Sequence, residues 1–122
     1  MITIYHNPKC SKSRQSLELV LAKAKDVKII EYLKTPLTKE ELRTILAKLN
    51  LHAKEIIRTK EIEFQEYQTK ELSEEELINL IIKLPILLER PIIIEGNKAV
   101  IGRDILPKTI FNKLTKLKPG KG

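Results

Sequence analysis

The apolar positions along the chain change period several times, and each period predicts an element. Ile2-Thr3-Ile4-Tyr5 alternates and is β-branched, the pattern of a strand. His6-Asn7-Pro8-Lys9 breaks it into a loop. Leu17, Val20, Leu21 and Ala24 then recur at i, i+3, i+4 and i+7, which predicts a helix starting near Ser11 to Ser13 with that stripe facing the core. Val27 to Tyr32 reads as a second strand. Strand, helix and strand within about thirty residues favour a parallel βαβ unit.

Thr35-Pro36 marks a turn. Thr38 with Glu41 and Ser73 with Glu76 are two capping boxes. Each precedes a helical stripe: Leu42, Ile45, Leu46 and Leu49 in the first, Leu77, Leu80, Ile81 and Leu84 in the second. Residues 53 to 70 have weaker periodicity and predict short helices. Pro85 ends the second helix or lies just past it. Ile92-Ile93-Ile94 predicts a third strand, Gly96-Asn97 a hairpin turn and Ala99-Val100-Ile101 a fourth strand. Leu106, Ile110, Leu114 and Leu117 stripe a last helix. The order βαβ, helical block, ββα predicts an α/β, thioredoxin-like domain with a four-stranded mixed sheet. That domain spans residues 1–117, with a helical insertion at about 36–86 and a flexible tail at 118–122.

Composition fits one such domain. The chain has 122 residues, 42% of them hydrophobic, enough for a single core. The longest apolar runs are a few residues, far short of the ~20 a membrane helix needs. The N-terminus lacks the basic start and apolar stretch of a signal peptide, and a cytoplasmic location is expected. The net charge is +7, but lysines on solvated helix faces account for most of it. With five Tyr and Phe residues and no Trp, a nucleic-acid stacking platform is not expected. The oligomeric state is left open, with a monomer expected.

The chemistry converges on one thiol. Cys10 is the only cysteine, so an internal disulfide and a multi-cysteine zinc site are excluded. No metal site is expected. Cys10 falls between the first strand and the first helix, at the carboxyl edge of a parallel strand, where α/β sheets place ligands. A helix N-terminus favours an anion there and lowers a thiol pKa. The neighbours His6, Asn7, Lys9, Ser11, Lys12, Ser13 and Arg14 are polar, unlike those of a core cysteine. Arg14 lies one turn on and adds positive charge. His6 is close enough to act electrostatically on the thiol or to cap the loop through hydrogen bonds. The chain has 18 lysines and only five arginines, Arg14, Arg43, Arg58, Arg90 and Arg103. An arginine fork grips a tetrahedral oxyanion through paired hydrogen bonds, where lysine is a point charge. Arg43 reads as an ordinary salt-bridge partner.

His6-Asn7-Pro8-Lys9-Cys10-Ser11-Lys12-Ser13-Arg14 resembles the active-site loop of the glutaredoxin-dependent arsenate reductases of the ArsC type. Tyr32-Leu33-Lys34-Thr35-Pro36, Ile57-Arg58 with Lys60, Pro85-Ile86-Leu87, Glu89-Arg90-Pro91-Ile92-Ile93 and Ile101-Gly102-Arg103 continue the resemblance in family order. It implies a thioredoxin-like fold with a helical insertion, Cys10 as nucleophile and His6 as the histidine that lowers its pKa. It also implies Arg58, Arg90 and Arg103 around the arsenic intermediate and a cis bond before Pro91. Ser13, Arg14 and Pro91 are expected to border the substrate. No cofactor is expected to be bound; glutathione would be co-substrate and glutaredoxin a partner. The sequence departs from the family pattern at Ser11-Lys12-Ser13, where Gly-Thr-Ser is usual, and at Asp104, where proline is frequent.

Two other readings stay open. A glutathione-linked monothiol oxidoreductase without arsenate activity would use the same thiol. Spx-type regulators, which bind RNA polymerase, share the fold but commonly carry Cys-x-x-Cys; here that second position is Ser13. The phosphatase-like route to arsenate reduction needs Cys-x5-Arg, and that arginine position holds Ser16.

Overall fold

The computed structural model of the chain describes residues 1–102. They divide into two compact units, one formed by Met1–Tyr32 with the chain from Arg90 onward, the other by Leu33–Glu89. The last helix expected from Leu106 to Leu117, the tail and Arg103 lie outside the described residues.

The first unit holds a four-stranded mixed sheet. Its strands are β1 (Ile2–His6), β2 (Val27–Glu31), β3 (Ile92–Glu95) and β4 (Lys98–Ile101), in the order β2-β1-β3-β4. β1 runs parallel to β2, with Ile2 opposite Val27 and His6 opposite Glu31. β3 is antiparallel to both β1 and β4. The parallel pair needs a crossover, and α1 (Ser11–Lys23) supplies it. β3 and β4 need only the two-residue turn at Gly96-Asn97, where Gly96 takes φ +59°, a left-handed value that a side chain would strain. Ile2, Ile4, Val20, Ile93 and Val100 form the buried cluster between α1 and the sheet.

α1 packs on the sheet through Val20, with Leu17 and Ala24 of the expected stripe against the same cluster, but its buried face extends further toward its N-terminus than the stripe predicts. Ser13, Ser16 and Val20 are its buried residues, and Leu21 is 50% exposed. The reason is a close approach at the first turns. A Cβ placed on Gly102 would lie 2.9 Å from Ser16 Oγ and 2.9 Å from Pro91 Cγ. Only a small residue fits where the helix, Pro91 and Gly102 converge, so serine occupies position 16, which an apolar count assigns to solvent. Gly102 N–H also donates to the Pro91 carbonyl at 2.8 Å. Gly102→Ala is therefore expected to lower stability by about 1–3 kcal/mol through overpacking, read as a lower urea midpoint at unchanged slope.

The second unit contains α2 (Lys39–Leu49), α3 (Glu74–Lys83) and three short 3-10 helices at Ala53–Ile56, Ile62–Tyr67 and Pro85–Leu87. Both capping boxes form as expected: Thr38 Oγ1 accepts from Glu41 N, and Ser73 Oγ accepts from Glu76 N. Leu42, Ile45 and Leu46 of α2 are buried, as are Leu77, Ile78, Leu80 and Ile81 of α3. Asn50 ends α2 in the left-handed conformation at φ 59°. The weak periodicity of residues 53–70 resolves into 3-10 turns, whose three-residue repeat a helical wheel does not capture. An isolated bridge between Ile57 and Leu88 sets Arg58 and Glu89 side by side at one end of this unit.

Candidate active site

β1 ends at His6, and the chain turns into α1 within four residues. Asn7 makes that turn. Its Oδ1 accepts from Lys9 N at 3.0 Å, and its carbonyl accepts from Cys10 N at 3.0 Å. This places Cys10 as the N-cap of α1, in extended conformation, with no side-chain capping bond of its own. The N-terminus of α1 also has no acidic residue in its first turn, whereas α2 has Glu40 and Glu41 there and α3 has three glutamates. The positive end of the α1 dipole is thus left for the sulfur.

The Cys10 thiol is half-buried, and burial by itself would push its pKa up. Hydrogen bonds from Ser13 N–H and from the Arg90 guanidinium, the Arg90 charge, and Lys12 N–H outweigh that cost. The net result is a thiol held below its ordinary value, favouring the thiolate. Arg90 is 7% exposed, so its charge acts through little water. The peptide bond from Arg90 to Pro91 is cis, as the resemblance implies.

Beneath the thiol lies a buried polar network. His6 is 4% exposed and Ser13 fully buried. His6 Nδ1 stands 2.7 Å from Ser13 Oγ, and Asn7 N–H donates to the same oxygen at 3.1 Å. Burial holds the His6 pKa below its ordinary value; Glu31 works against this and Arg14 with it. His6 is therefore favoured in its neutral form, and its contact toward the thiol side of the loop is the Ser13 hydroxyl. Of the two roles open to His6, hydrogen bonding within the loop is the one this geometry displays.

The remaining site candidates separate. Arg14 is exposed; its Nη1 donates to the Pro8 carbonyl at 2.8 Å and its backbone N–H to the Cys10 carbonyl at 3.0 Å, so it braces the loop. Arg58 belongs to the Leu33–Glu89 unit. There its Nε donates to Glu61 Oε2 at 2.9 Å, and Nη1 lies 3.8 Å from Glu89 Oε1. Arg43 pairs with Glu75 on the surface, as expected of it. Arg103 lies outside the described residues. Asn7, Ser16 and Gly102 escaped the sequence reading as parts of the site. Asn-Pro is a turn signal that marks Asn7, but nothing local marks the other two.

Among the described residues no group of His, Cys, Asp and Glu could hold a metal ion. No helix there is long and apolar enough to cross a membrane. The arrangement offers instead one activated sulfur, exposed on one side and flanked by an arginine fork and helix N–H groups. Those donors suit an electrophile that carries negative oxygen atoms.

The chain is similar to known proteins over most of its length. It is 41% identical over 105 residues to the uncharacterized protein YfgD of Escherichia coli, covering 84% of this chain and 88% of that one. It is 37% identical to an arsenate reductase of Neisseria meningitidis, covering 85% of this chain and 92% of the relative. The solved arsenate reductase from Vibrio cholerae superposes with a TM-score of 0.84 at 34% identity, over 93% of this chain and 97% of that one. The four-stranded mixed sheet is the thioredoxin-like fold of those structures. The ArsC family model matches residues 5–105, which take in Cys10, its donors and the Arg90-Pro91 segment, and the chain belongs to the ArsC family.

Proposed function

We propose that this protein is an arsenate reductase that uses Cys10 as nucleophile and takes its electrons from external thiols. The observation that carries this reading is the sulfur itself, half-buried at a helix N-terminus, where Ser13 N–H, Arg90 and Lys12 N–H hold its pKa below the ordinary thiol value. The Cys10 thiolate attacks arsenic, an S–As bond forms, and an arsenate oxygen leaves as water after protonation. Glutathione attacks arsenic, a second S–As bond forms and a second oxygen leaves as water. A glutaredoxin thiol then attacks the glutathione sulfur, that S–As bond breaks with its electron pair on arsenic, and one water releases arsenite from Cys10. In sum one arsenate and two thiols give one arsenite, one disulfide and one water. Because Cys10 is the only cysteine of the chain, the second sulfur must come from outside.

Arg90 has the clearest role in this scheme. Its guanidinium steadies first the thiolate and then the oxyanion charge as electrons move toward arsenic. Arg58 and Arg103 are assigned to the same oxyanion by family resemblance. Ser13 and Pro91 shape the pocket around the sulfur, and Arg14 holds the loop.

The test is arsenate-dependent NADPH oxidation by the purified, reduced protein, coupled through glutathione, glutathione reductase and glutaredoxin. Turnover that requires both arsenate and this protein is the expected result. No arsenate-dependent oxidation, with Cys10 still alkylating as an activated thiol, overturns the substrate and points to glutathionylated proteins.

A further inference from the structure

Glu31 ends β2 directly opposite His6 in the parallel register. Paired positions on neighbouring parallel strands point to the same face, so the carboxylate and the imidazole are neighbours in one layer. Glu31 is only half-exposed, and its Oε1 is buried. A carboxylate placed there carries a desolvation cost. A generic strand end does not need one.

We propose that Glu31 is a positioning residue for the thiol, acting through His6 and Ser13. His6 Nδ1 is engaged with Ser13 Oγ, which leaves Nε2 as the ring atom on which a neighbouring carboxylate can hold the proton. With the proton on Nε2, Nδ1 accepts from the Ser13 hydroxyl. Ser13 Oγ in turn accepts from Asn7 N–H, so one serine ties β1, the turn and the first turn of α1 together. The Ser13 backbone N–H is the largest of the effects that lower the Cys10 pKa, so fixing Ser13 fixes the aim of that donor. The charged groups facing His6 from the elements around it are Glu31 on β2 and Arg14 on α1; Arg90, ahead of β3, acts on the sulfur instead. Glu31 therefore shapes the nucleophile without touching it. This rests on Cys10 being the reactive group of the proposed function, but not on arsenate being its substrate.

The direction of the effect separates positioning from plain electrostatics. Removing a negative charge near a thiol lowers its pKa by direct interaction. Loosening the Ser13 donor raises it. Glu31→Gln keeps the size of the side chain and removes the charge. The Cys10 titration is read from the pH dependence of iodoacetamide alkylation, which needs no arsenate. Glu31→Gln is expected to shift that curve to higher pH, leaving about threefold less thiolate at neutral pH, a small part of a charge-assisted hydrogen bond. In a His6→Gln background the same substitution is expected to change nothing further, because the route through the ring is gone. Glu31→Asp is expected to restore part of the effect. In the NMR spectrum of the imidazole nitrogens the wild type is expected as the Nε2–H tautomer, and Glu31→Gln as a mixture. A shift to lower pH, additive shifts in the double variant, or an unchanged tautomer each overturn the proposal. Arsenate turnover, assayed separately, decides the substrate without affecting these readouts.

Discussion

Cys10→Ser is expected to take arsenate turnover to the floor of the assay, at least about 10³-fold down, while leaving the fold as stable as before or more so. The two halves of this prediction have separate causes. Turnover is expected to fall because, in the proposed mechanism, the sulfur is both the nucleophile and the atom that joins the thiol exchange, and the chain has no second cysteine to replace it. A serine hydroxyl in the same donor cluster is not ionised at neutral pH and cannot carry a disulfide step. Stability holds because Cys10 is the N-cap of α1 and makes no side-chain capping bond. Serine is among the preferred N-cap residues, and its hydroxyl can accept from a first-turn N–H, a contribution of about 1 kcal/mol. Thermal melts of the reduced wild type and the variant check that half. Turnover retained in the variant would remove Cys10 from the mechanism. Turnover lost together with a collapsed melt would make the loss a folding defect.

The site was legible in the sequence where chemistry is local and illegible where it depends on register. An alternating run, a Pro-marked loop and a helical stripe suffice to put Cys10 at a helix N-terminus, because strand, turn and helix are contiguous. The capping boxes at Thr38 and Ser73 were legible for the same reason, since all their partners lie within four residues. His6 was harder. It is four positions from Cys10, and sequence distance alone suggests a charge acting on the thiol. What decides its state is that it sits inside β1 and is buried, which favours the neutral ring. Glu31 could not be picked out at all, because its neighbour is 25 residues away and depends on how β1 and β2 align. The buried face of α1 was legible at Leu17, Val20 and Ala24 but not at its serines, for a related reason. Ser13 and Ser16 count as polar in any periodicity, yet both are buried, Ser13 in the network with His6 and Asn7, Ser16 where Pro91 and Gly102 come close. A stripe of leucines shows where a helix is apolar, not where another backbone comes too near for a leucine to fit. For Arg58 the sequence suggested an arginine but not its company, two carboxylates that hold it at Nε and Nη1.

Arg90 should reveal both parts of its work in a single pH series. Arg90→Gln removes the charge and the fork; Arg90→Lys keeps the charge without the fork. In the wild type the rate is expected to climb with pH as Cys10 ionises and to level off above the lowered pKa. Without Arg90 the Cys10 pKa is higher, so the climb moves to higher pH and the deficit is largest at low pH. Raising the pH then recovers the part of the loss that came from the missing thiolate. What remains on the high-pH plateau is the part that came from the oxyanion. A hydrogen bond to a charged group contributes about 1.5–3 kcal/mol, which corresponds to roughly 10- to 150-fold on the low-pH limb. Loss of an oxyanion donor corresponds to a factor on the order of 10²–10³ and persists at every pH. Arg90→Lys is expected to recover more of the low-pH limb than of the plateau, since a point charge supports a thiolate better than it replaces a fork on a tetrahedral anion. Arg90 is buried, so the glutamine variant is compared only at temperatures where its melt shows it folded. A variant whose deficit vanishes at high pH would leave Arg90 with the thiol alone and move the oxyanion to other donors. A deficit equal at all pH values would mean that Arg90 does not set the ionisation of Cys10.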